Sequence, residues 1–295
     1  RHARTLLERR VRAVSRQLPL AAQNWTGSPM TGISPPTTAS VRLVGLDAAS
    51  QRSKFGYALG HLSADGLVIR VEQAGLLDDD ANVIEAAMAP FIAGGERVLI
   101  AIDAPLGWPD GLRQLLLGHA AGLPPAVGLS KDRCFRRLTD LAVRKIKIPL
   151  EVGADRIARA AMEALIVLQE LRAATSLPLP LAWSPAFQGA ATIEVYPGAT
   201  LVVHRLAGAS YKQPDEAPAR SRIVQKLVDT GQLASLPDAV QRRTARDADV
   251  LDAILCLVAA RDFLRGECSA PAPADRDQAM REGWIWLRHA GDPVG

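Results

Sequence analysis

Cysteine, aromatic residues and long apolar runs are all scarce in this sequence. The three cysteines, Cys134, Cys256 and Cys268, are odd in number and show no CxxC spacing. This argues against a disulfide framework and a structural zinc site, and favours a reducing, cytoplasmic compartment. No apolar run approaches the roughly 20 residues that cross a bilayer, so we expect no membrane partner. Aromatic residues make up only 4% of the chain, which disfavours a dedicated binder of single strands, because such proteins stack bases on aromatic rings.

Excess charge is also absent from most of the chain. The formal net charge of +4 originates in residues 1–40, which hold six Arg and one Glu, whereas residues 41–295 hold 29 basic and 30 acidic residues. Residues 27–40 are rich in Pro, Ser and Thr, as linkers are. We therefore predict a disordered basic extension and linker over 1–40 and one domain over 41–295. Such a domain would contact nucleic acid through a local basic patch.

Two apolar, β-branched segments each end in an aspartate. Val41–Asp47 (VRLVGLD) and Arg97–Asp103 (RVLIAID) have the composition of buried strands. In open α/β sheets the ligand crevice lies at the carboxyl ends of the strands. A carboxylate in that position needs a positive partner, because burying an unpaired charge is costly. Asp47 and Asp103 are therefore the first candidates for a functional site.

The segments between these two strands predict an α/β fold. Residues 55–62 and 67–73 have the pattern of two strands joined by a hairpin turn, and residues 81–92 show the apolar spacing of a helix. A helix that connects two strands of one sheet makes them parallel. We therefore predict a mixed sheet, in which an antiparallel three-strand meander precedes parallel strands and helices flank the sheet.

A helical insertion is predicted over about 108–190, lying over one edge of the sheet. It contains the most basic stretch of the domain, residues 131–147, with seven Lys or Arg and two Asp. It also contains an amphipathic helix over residues 155–174.

Further acids follow the insertion. Residues 191–196 form a predicted strand that carries Glu194, and residues 247–263 form a predicted helix on which Asp249 and Asp252 project from one face. Acids that face inward repel each other and lose solvation, and a divalent cation among them relieves both costs. The candidate catalytic carboxylates are Asp47, Asp103, Glu194, Asp249 and Asp252, and all of them except Glu194 are also the candidate metal ligands.

Oxygen ligands of this kind suit Mg²⁺ or Mn²⁺. Two such ions a few ångströms apart activate water and stabilise the leaving oxygen of a phosphodiester. Simpler interpretations stay open. Asp47 and Asp103 could cap the turns after their strands, and Glu194 could pair with Arg137 or Lys212. Asp249 could be an acid in the first turn of its helix that the helix dipole stabilises.

Six short motifs follow one another along the chain. They are residues 45–48 (GLDA), 101–107 (AIDAPLG), 137–140 (RLTD), 193–197 (IEVYP), 249–256 (DVLDAILC) and 282–286 (EGWIW). In this order they resemble the DUF429 family, a domain family of unknown function, over about residues 41–287. The resemblance implies a ribonuclease-H-like fold and the nuclease activity predicted for that family.

The resemblance also implies roles for individual residues. In ribonuclease-H-like nucleases the first strand, the fourth strand and the closing helix each contribute an acid to the metals. Carried over to this sequence, these acids are Asp47, Asp103, and Asp249 or Asp252. The RxTD motif of the family corresponds to Arg137, Thr139 and Asp140.

Arginines of the basic stretch are candidates for binding backbone phosphates, because a guanidinium group matches phosphate in a bidentate way. The alternative is that they pair with nearby acids such as Asp132 and Asp140. The candidate substrate-binding residues are Arg133, Arg136, Arg137, Thr139, Asp140, Arg144 and Lys212.

Three functional hypotheses follow. The first is a metal-dependent nuclease that acts on DNA or RNA. The second is a phosphotransferase of the actin or hexokinase type, which is disfavoured because the turn over residues 48–54 contains no Gly and no Gly-Lys-Ser/Thr phosphate loop occurs. The third is a non-catalytic scaffold or binding protein, in which the helix over residues 155–174 mediates association, for example as a homodimer.

Overall fold

The computed structural model describes residues 40–78, 82–124, 128, 130–153, 155–206, 210–289 and 291. The predicted extension over residues 1–40 lies outside the described residues, except for Ser40. The described chain has a mixed α/β fold, in which helices flank an open, five-stranded mixed sheet. This is the class that the sequence predicted.

The sheet combines antiparallel and parallel pairing. Its strands are β1 (Val41–Asp47), β2 (Gly56–Leu62), β3 (Ile69–Leu76), β4 (Arg97–Asp103) and β5 (Gly189–Glu194). They lie in the spatial order β3-β2-β1-β4-β5. The first three form an antiparallel meander, whereas β1 with β4 and β4 with β5 pair in parallel. The carboxyl ends of β1, β4 and β5 therefore meet at one edge of the sheet.

Helices cover both faces of this sheet. They are α1 (Ala89–Ala93), which continues a π-helical turn over Ile84–Met88, α2 (Asp110–Leu116), α3 (Lys131–Phe135), α4 (Leu138–Val143), α5 (Asp155–Thr175), α6 (Pro197–Val203), α7 (Ala217–Asp229), α8 (Asp238–Arg246), α9 (Ala248–Leu264) and α10 (Arg276–Glu282). Among the described residues, no helix is both long and apolar enough to cross a bilayer.

Alternate strand residues enter two separate apolar cores. Leu43 and Leu99 face a core shared with α7 and α9, while Val44 and Ile100 face a core shared with α5. Helix α9 is the most enclosed element, since every residue from 250 to 263 is buried. Burial on all sides matches its sequence, which carries small and apolar residues around the whole helix rather than on one stripe.

Helix α5 packs differently from its predicted position over an edge of the sheet. Its residues Ala164, Val167, Leu168 and Leu171 are buried against one face of β1 and β4. The apolar side of α5 is therefore used within the chain, because the sheet face beneath it is equally apolar. This leaves that side unable to mediate the association that the scaffold hypothesis assigned to the helix.

Several element boundaries differ from the predicted ones for local reasons. Strand β2 begins at Gly56, one residue later than predicted, because Arg52–Lys54 forms a 3₁₀ turn. Strand β3 is shifted from residues 67–73 to Ile69–Leu76. Strand β5 spans Gly189–Glu194 instead of 191–196, because Pro197 starts α6 soon afterwards, and proline favours the first turn of a helix.

Candidate active site

A cleft of about 680 Å³ opens where the carboxyl ends of β1, β4 and β5 meet. Asp47, Asp103, Glu194 and Asp249 all line it, as does Lys212. Asp47 and Asp103 are register partners in the parallel pair β1–β4. The two strand-end acids therefore open onto the same side of the molecule, at the position where open α/β sheets bind ligands.

Two glycines allow α9 to bring its acids to this cleft. A Cβ on Gly45 would lie 2.0 Å from the carbonyl oxygen of Ala253, and one on Gly56 would lie 2.2 Å from that of Asp249. Because any larger residue would push the helix away, these glycines in β1 and β2 let the α9 backbone touch the sheet. This close packing places Asp252 next to the end of β1.

The carboxyl groups of Asp47 and Asp103 interact directly. Burial raises the pKa of Asp103 to about 7, helped by Asp252, whereas a hydrogen bond from Asp47 opposes the rise. The pKa of Asp47 lies well above its usual range, because of burial and of the negative charges of Asp252 and Asp103. Both carboxyl groups are therefore protonated more readily than those of ordinary aspartates, because negative charge on this pair is unfavourable.

Asp252 is fully buried and contacts a tyrosine and a lysine. Its Oδ1 accepts a 2.8 Å hydrogen bond from the Tyr211 hydroxyl, and its Oδ2 lies 2.6 Å from the Lys212 Nζ. Burial raises its pKa, and Lys212 opposes that rise. The pKa of Lys212 is in turn held above its usual value by Asp252 and Asp47, against the effect of burial.

Asp249 lies at the start of α9, on the rim of the cleft. Burial raises its pKa to about 6, with further contributions from Asp247 and Asp252. Asp247 caps the helix, since its side chain accepts a 2.9 Å hydrogen bond from the Asp249 amide. Asp249 also lies in the first turn of α9, where the helix dipole favours an acid. Stabilisation by the dipole, the simpler interpretation of Asp249, is therefore compatible with its place in the cleft.

Glu194 is neutralised by Arg137, one of the two partners that the sequence left open. The five N–H groups of the Arg137 guanidinium all have acceptors: the carboxylates of Asp140 and Glu194 and the carbonyl of Glu282. Arg137 and Asp140 are each only 1% exposed. Glu194 is therefore paired with a permanent cation of the chain, as Asp252 is paired with Lys212.

The RxTD residues form part of the packing around the carboxyl-terminal segment. The Thr139 hydroxyl is fully buried and accepts a 2.8 Å hydrogen bond from the Ile285 amide. Because Arg137 has no free N–H group left, it cannot bind a phosphate in this arrangement. Arg137 and Asp140 also line the cleft, so the substrate-binding role of Arg137, Thr139 and Asp140 stays a prediction beside the structural role that these contacts give them.

The other arginines of the basic stretch lie away from the cleft lining. Arg133 donates to Gln278 at 3.0 Å, and Arg136 donates to the Pro149 carbonyl at 3.0 Å. Arg144 is half exposed and is 4.0 Å from Asp132. In the part of the chain that the structure describes, none of these three lines the cleft that holds the carboxylates. These three arginines could therefore bind only the phosphates of a substrate that is long enough to extend beyond the cleft.

Sequence reasoning missed several residues that do line or support the cleft. Lys147 lies in the basic stretch but was not singled out, and Tyr196 lies in the motif over residues 193–197. Burial, together with the charge of Asp103, raises the pKa of Tyr196 to about 12. Tyr211 carries no motif at all. Only its hydrogen bond to Asp252, 41 residues away, identifies it.

The carboxylates fit a hard divalent cation in their chemistry, but their present arrangement includes a competitor. Asp47, Asp103 and Asp252 supply only oxygen donors, which Mg²⁺ and Mn²⁺ prefer. Among the described residues, however, no group of three or more His, Cys, Asp or Glu is arranged to hold a metal ion. The cation that these acids face is the Lys212 ammonium. A metal ion would be held by the three aspartates, with Lys212 displaced.

Comparison with known proteins identifies a family to which this chain is similar. Residues 45–276 match the model of a family described as "Protein of unknown function (DUF429)". No curated protein and no solved structure matches the chain. The match covers the sheet, the cleft carboxylates and α9, which is more than half of the sequence.

Proposed function

Because this chain belongs to the DUF429 family, whose description names no reaction, we propose its function from the cleft: a divalent-metal-dependent nuclease that hydrolyses phosphodiester bonds of DNA or RNA. The observation that carries the proposal is the juxtaposition of Asp47 and Asp103, in register on parallel strands, with the buried Asp252. Three carboxylates against one lysine leave negative charge that a bound dication would neutralise.

The topology supports a ribonuclease-H-like fold. An antiparallel meander of β1, β2 and β3 is followed by the parallel strands β4 and β5, and the acidic helix α9 comes later in the chain and packs on the sheet. In this arrangement the first strand contributes Asp47, the fourth contributes Asp103, and the helix contributes Asp252. These are the positions that the family resemblance implies for metal ligands.

The residues of the cleft have distinct roles in the proposed reaction. Asp47, Asp103 and Asp252 would hold the metal ions, and Asp249 would complete the ligand set from the rim. Mg²⁺ or Mn²⁺ bound there would activate the attacking water and stabilise the leaving oxygen. Lys147, which also lines the cleft, is placed to attract a phosphate.

Tyr196 is protonated at neutral pH, and its pKa is raised to about 12. Its hydroxyl group can therefore donate a hydrogen bond.

The wall of the cleft beyond the carboxylates is aliphatic. Pro149, Leu150, Ile157 and Val202 line it, and Leu150 is 68% exposed. Apolar side chains exposed beside two lysines suit a ligand with a negative group next to a flat, weakly polar ring. A phosphodiester with its neighbouring base has this character, which supports a nucleic-acid substrate.

A non-catalytic binding role is the second candidate. The observation that favours it is that two of the five candidate acids already have cationic partners, Glu194 with Arg137 and Asp252 with Lys212. If these cations and the readiness of the buried Asp47 and Asp103 to be protonated offset enough of the negative charge, the cluster needs no metal ion. This candidate predicts that the protein binds no divalent cation.

The nuclease proposal is tested with fluorescent single- and double-stranded DNA, single-stranded RNA and an RNA–DNA hybrid, each incubated with Mn²⁺ or Mg²⁺. We expect cleavage that EDTA abolishes. Asp47→Asn and Asp103→Asn should each reduce the rate by at least about a hundredfold, since loss of even outer-shell partners of a metal costs 10–100-fold. Asp229→Asn, an exposed acid at the end of α7, is the matched control and should cleave like the wild type. No cleavage of any substrate, or equal cleavage by Asp47→Asn, would reject the proposal.

A further inference from the structure

Arg220 is a buried cation whose partners are all backbone carbonyls. Only 1% of this α7 residue is exposed. Its guanidinium donates to the carbonyls of Tyr211, Gln213, Pro214, Ala245 and Arg246, at 2.6, 2.8, 3.3, 2.8 and 3.4 Å. These five bonds use all of its N–H groups. Arg220 thereby fixes the loop over residues 211–214 to the end of α8.

This anchored loop presents Lys212 to the carboxylates. The backbone on either side of Lys212 is held by Arg220, through the carbonyls of Tyr211 and Gln213. The lysine side chain is 58% exposed, yet its Nζ reaches the fully buried Asp252. The same ammonium also acts on Asp47, Asp103 and Asp249 by lowering their pKa values.

The contact between Lys212 and Asp252 is close but not well directed. The Nζ lies 2.6 Å from Oδ2, while Oδ2 has no hydrogen bond of acceptable geometry. The other oxygen of Asp252 is held in a regular bond by Tyr211. Charge attraction, rather than a directed hydrogen bond, therefore keeps the flexible lysine at the carboxylate. A cation of higher charge that reaches Asp252 would compete with the Lys212 ammonium for the same oxygen.

From these contacts we infer that Lys212 is the resident cation of the carboxylate cluster, held in place by Arg220, and that a divalent cation binds Asp252 only by displacing the Lys212 ammonium. This inference rests on the proposed function, because it assumes that the cluster binds metal. The displaced ammonium stays within the cleft, because its backbone is anchored. It is then available to contact a phosphate of the substrate, which gives Lys212 a positioning role.

The test measures Mn²⁺ binding by isothermal titration calorimetry to the whole chain, as wild type and as four variants. Lys212→Met removes the charge, and Lys212→Gln removes it but retains an N–H donor for Asp252, in case the first variant folds poorly. Lys212→Arg keeps a competing cation. Lys226→Met, at an exposed lysine of α7 that does not line the cleft, is the matched control. Thermal unfolding of each variant, with and without Mn²⁺, verifies that it is folded.

We expect Lys212→Met and Lys212→Gln to bind Mn²⁺ at least about tenfold more tightly than the wild type, because no ammonium competes for Asp252. Lys212→Arg and Lys226→Met should stay within about threefold of the wild type, since neither removes the competing charge at Asp252. Equal or weaker binding by Lys212→Gln, with the wild type still binding Mn²⁺, would overturn this inference alone. Absence of Mn²⁺ binding in the wild type and in every Lys212 variant would overturn the metal-dependent function, and the inference with it.

Discussion

Asp47 and Asp103 face each other across the parallel register of β1 and β4, and a hydrogen bond joins their carboxyl groups. Burial and the nearby Asp252 raise the pKa of both carboxyl groups. The pair is therefore the element of the site whose charge depends most directly on pH and on bound cations.

The raised pKa of Asp103 predicts how stability depends on pH. Its pKa is about 7 in the folded chain and 3.8 in an ordinary exposed aspartate, so the folded state binds more protons between these values. The free energy of unfolding should therefore decrease as pH rises from about 4 to about 7. Urea unfolding of wild type and Asp103→Asn across this range measures the effect, and the difference between the two proteins isolates it. A difference that does not change with pH would contradict the raised pKa.

Replacing Gly45 by Ala should strongly destabilise the fold. The new Cβ would lie 2.0 Å from the Ala253 carbonyl oxygen, so α9 must shift away from β1, at a cost of about 3 kcal/mol or more. Gly94→Ala is the control, because its Cβ would mainly meet the flexible end of Arg42 and should cost less than about 1 kcal/mol. Chemical denaturation measures both variants. Similar losses for the two would mean that the close approach of α9 is not what Gly45 provides.

Removal of Arg137 separates a structural role from a substrate-binding one. Arg137→Met leaves Glu194 and Asp140 buried without their cation, which should cost about 3–5 kcal/mol of unfolding free energy. Arg144→Met, at a half-exposed arginine of the same stretch, should change stability by less than about 0.5 kcal/mol. If Arg137→Met instead kept its stability and lost affinity for an oligonucleotide, Arg137 would belong to the substrate-binding surface.

Arg220→Lys should loosen the loop that carries Lys212. A lysine cannot donate to five carbonyls at once, so several bonds are lost, and the expected cost is about 1–3 kcal/mol. The loop then holds Lys212 less firmly, so its ammonium competes less well for Asp252. The affinity for Mn²⁺ should therefore increase, as it should in Lys212→Gln. Arg222→Lys, at an exposed position of the same helix, should change neither property. Calorimetry and thermal unfolding test both, and unchanged Mn²⁺ affinity in a destabilised Arg220→Lys would restrict Arg220 to a purely structural role.

Local sequence patterns predicted the features that depend on local physics. An apolar β-branched run that ends in an aspartate predicted β1 and β4 with their terminal acids, because strand formation and burial follow from composition over about seven residues. The meander, the connecting helix and the parallel pairing followed from the order of these elements. The motifs that resemble DUF429 indicated the family, and the match over residues 45–276 confirms it.

Partner choice among distant charges could not be predicted in the same way. The sequence offered Glu194 two cations, and only the packing of α4 and residues 282–285 assigned it to Arg137. Lys212 was thereby left for Asp252, and nothing in its local sequence marks that contact. Ion pairs form between whichever groups the folded chain brings together at low solvent exposure, so their energies depend on position and burial rather than on spacing. Local sequence patterns identified the acids of this site, at the ends of strands and on α9. Only the tertiary structure determined which cation pairs with Glu194 and which pairs with Asp252.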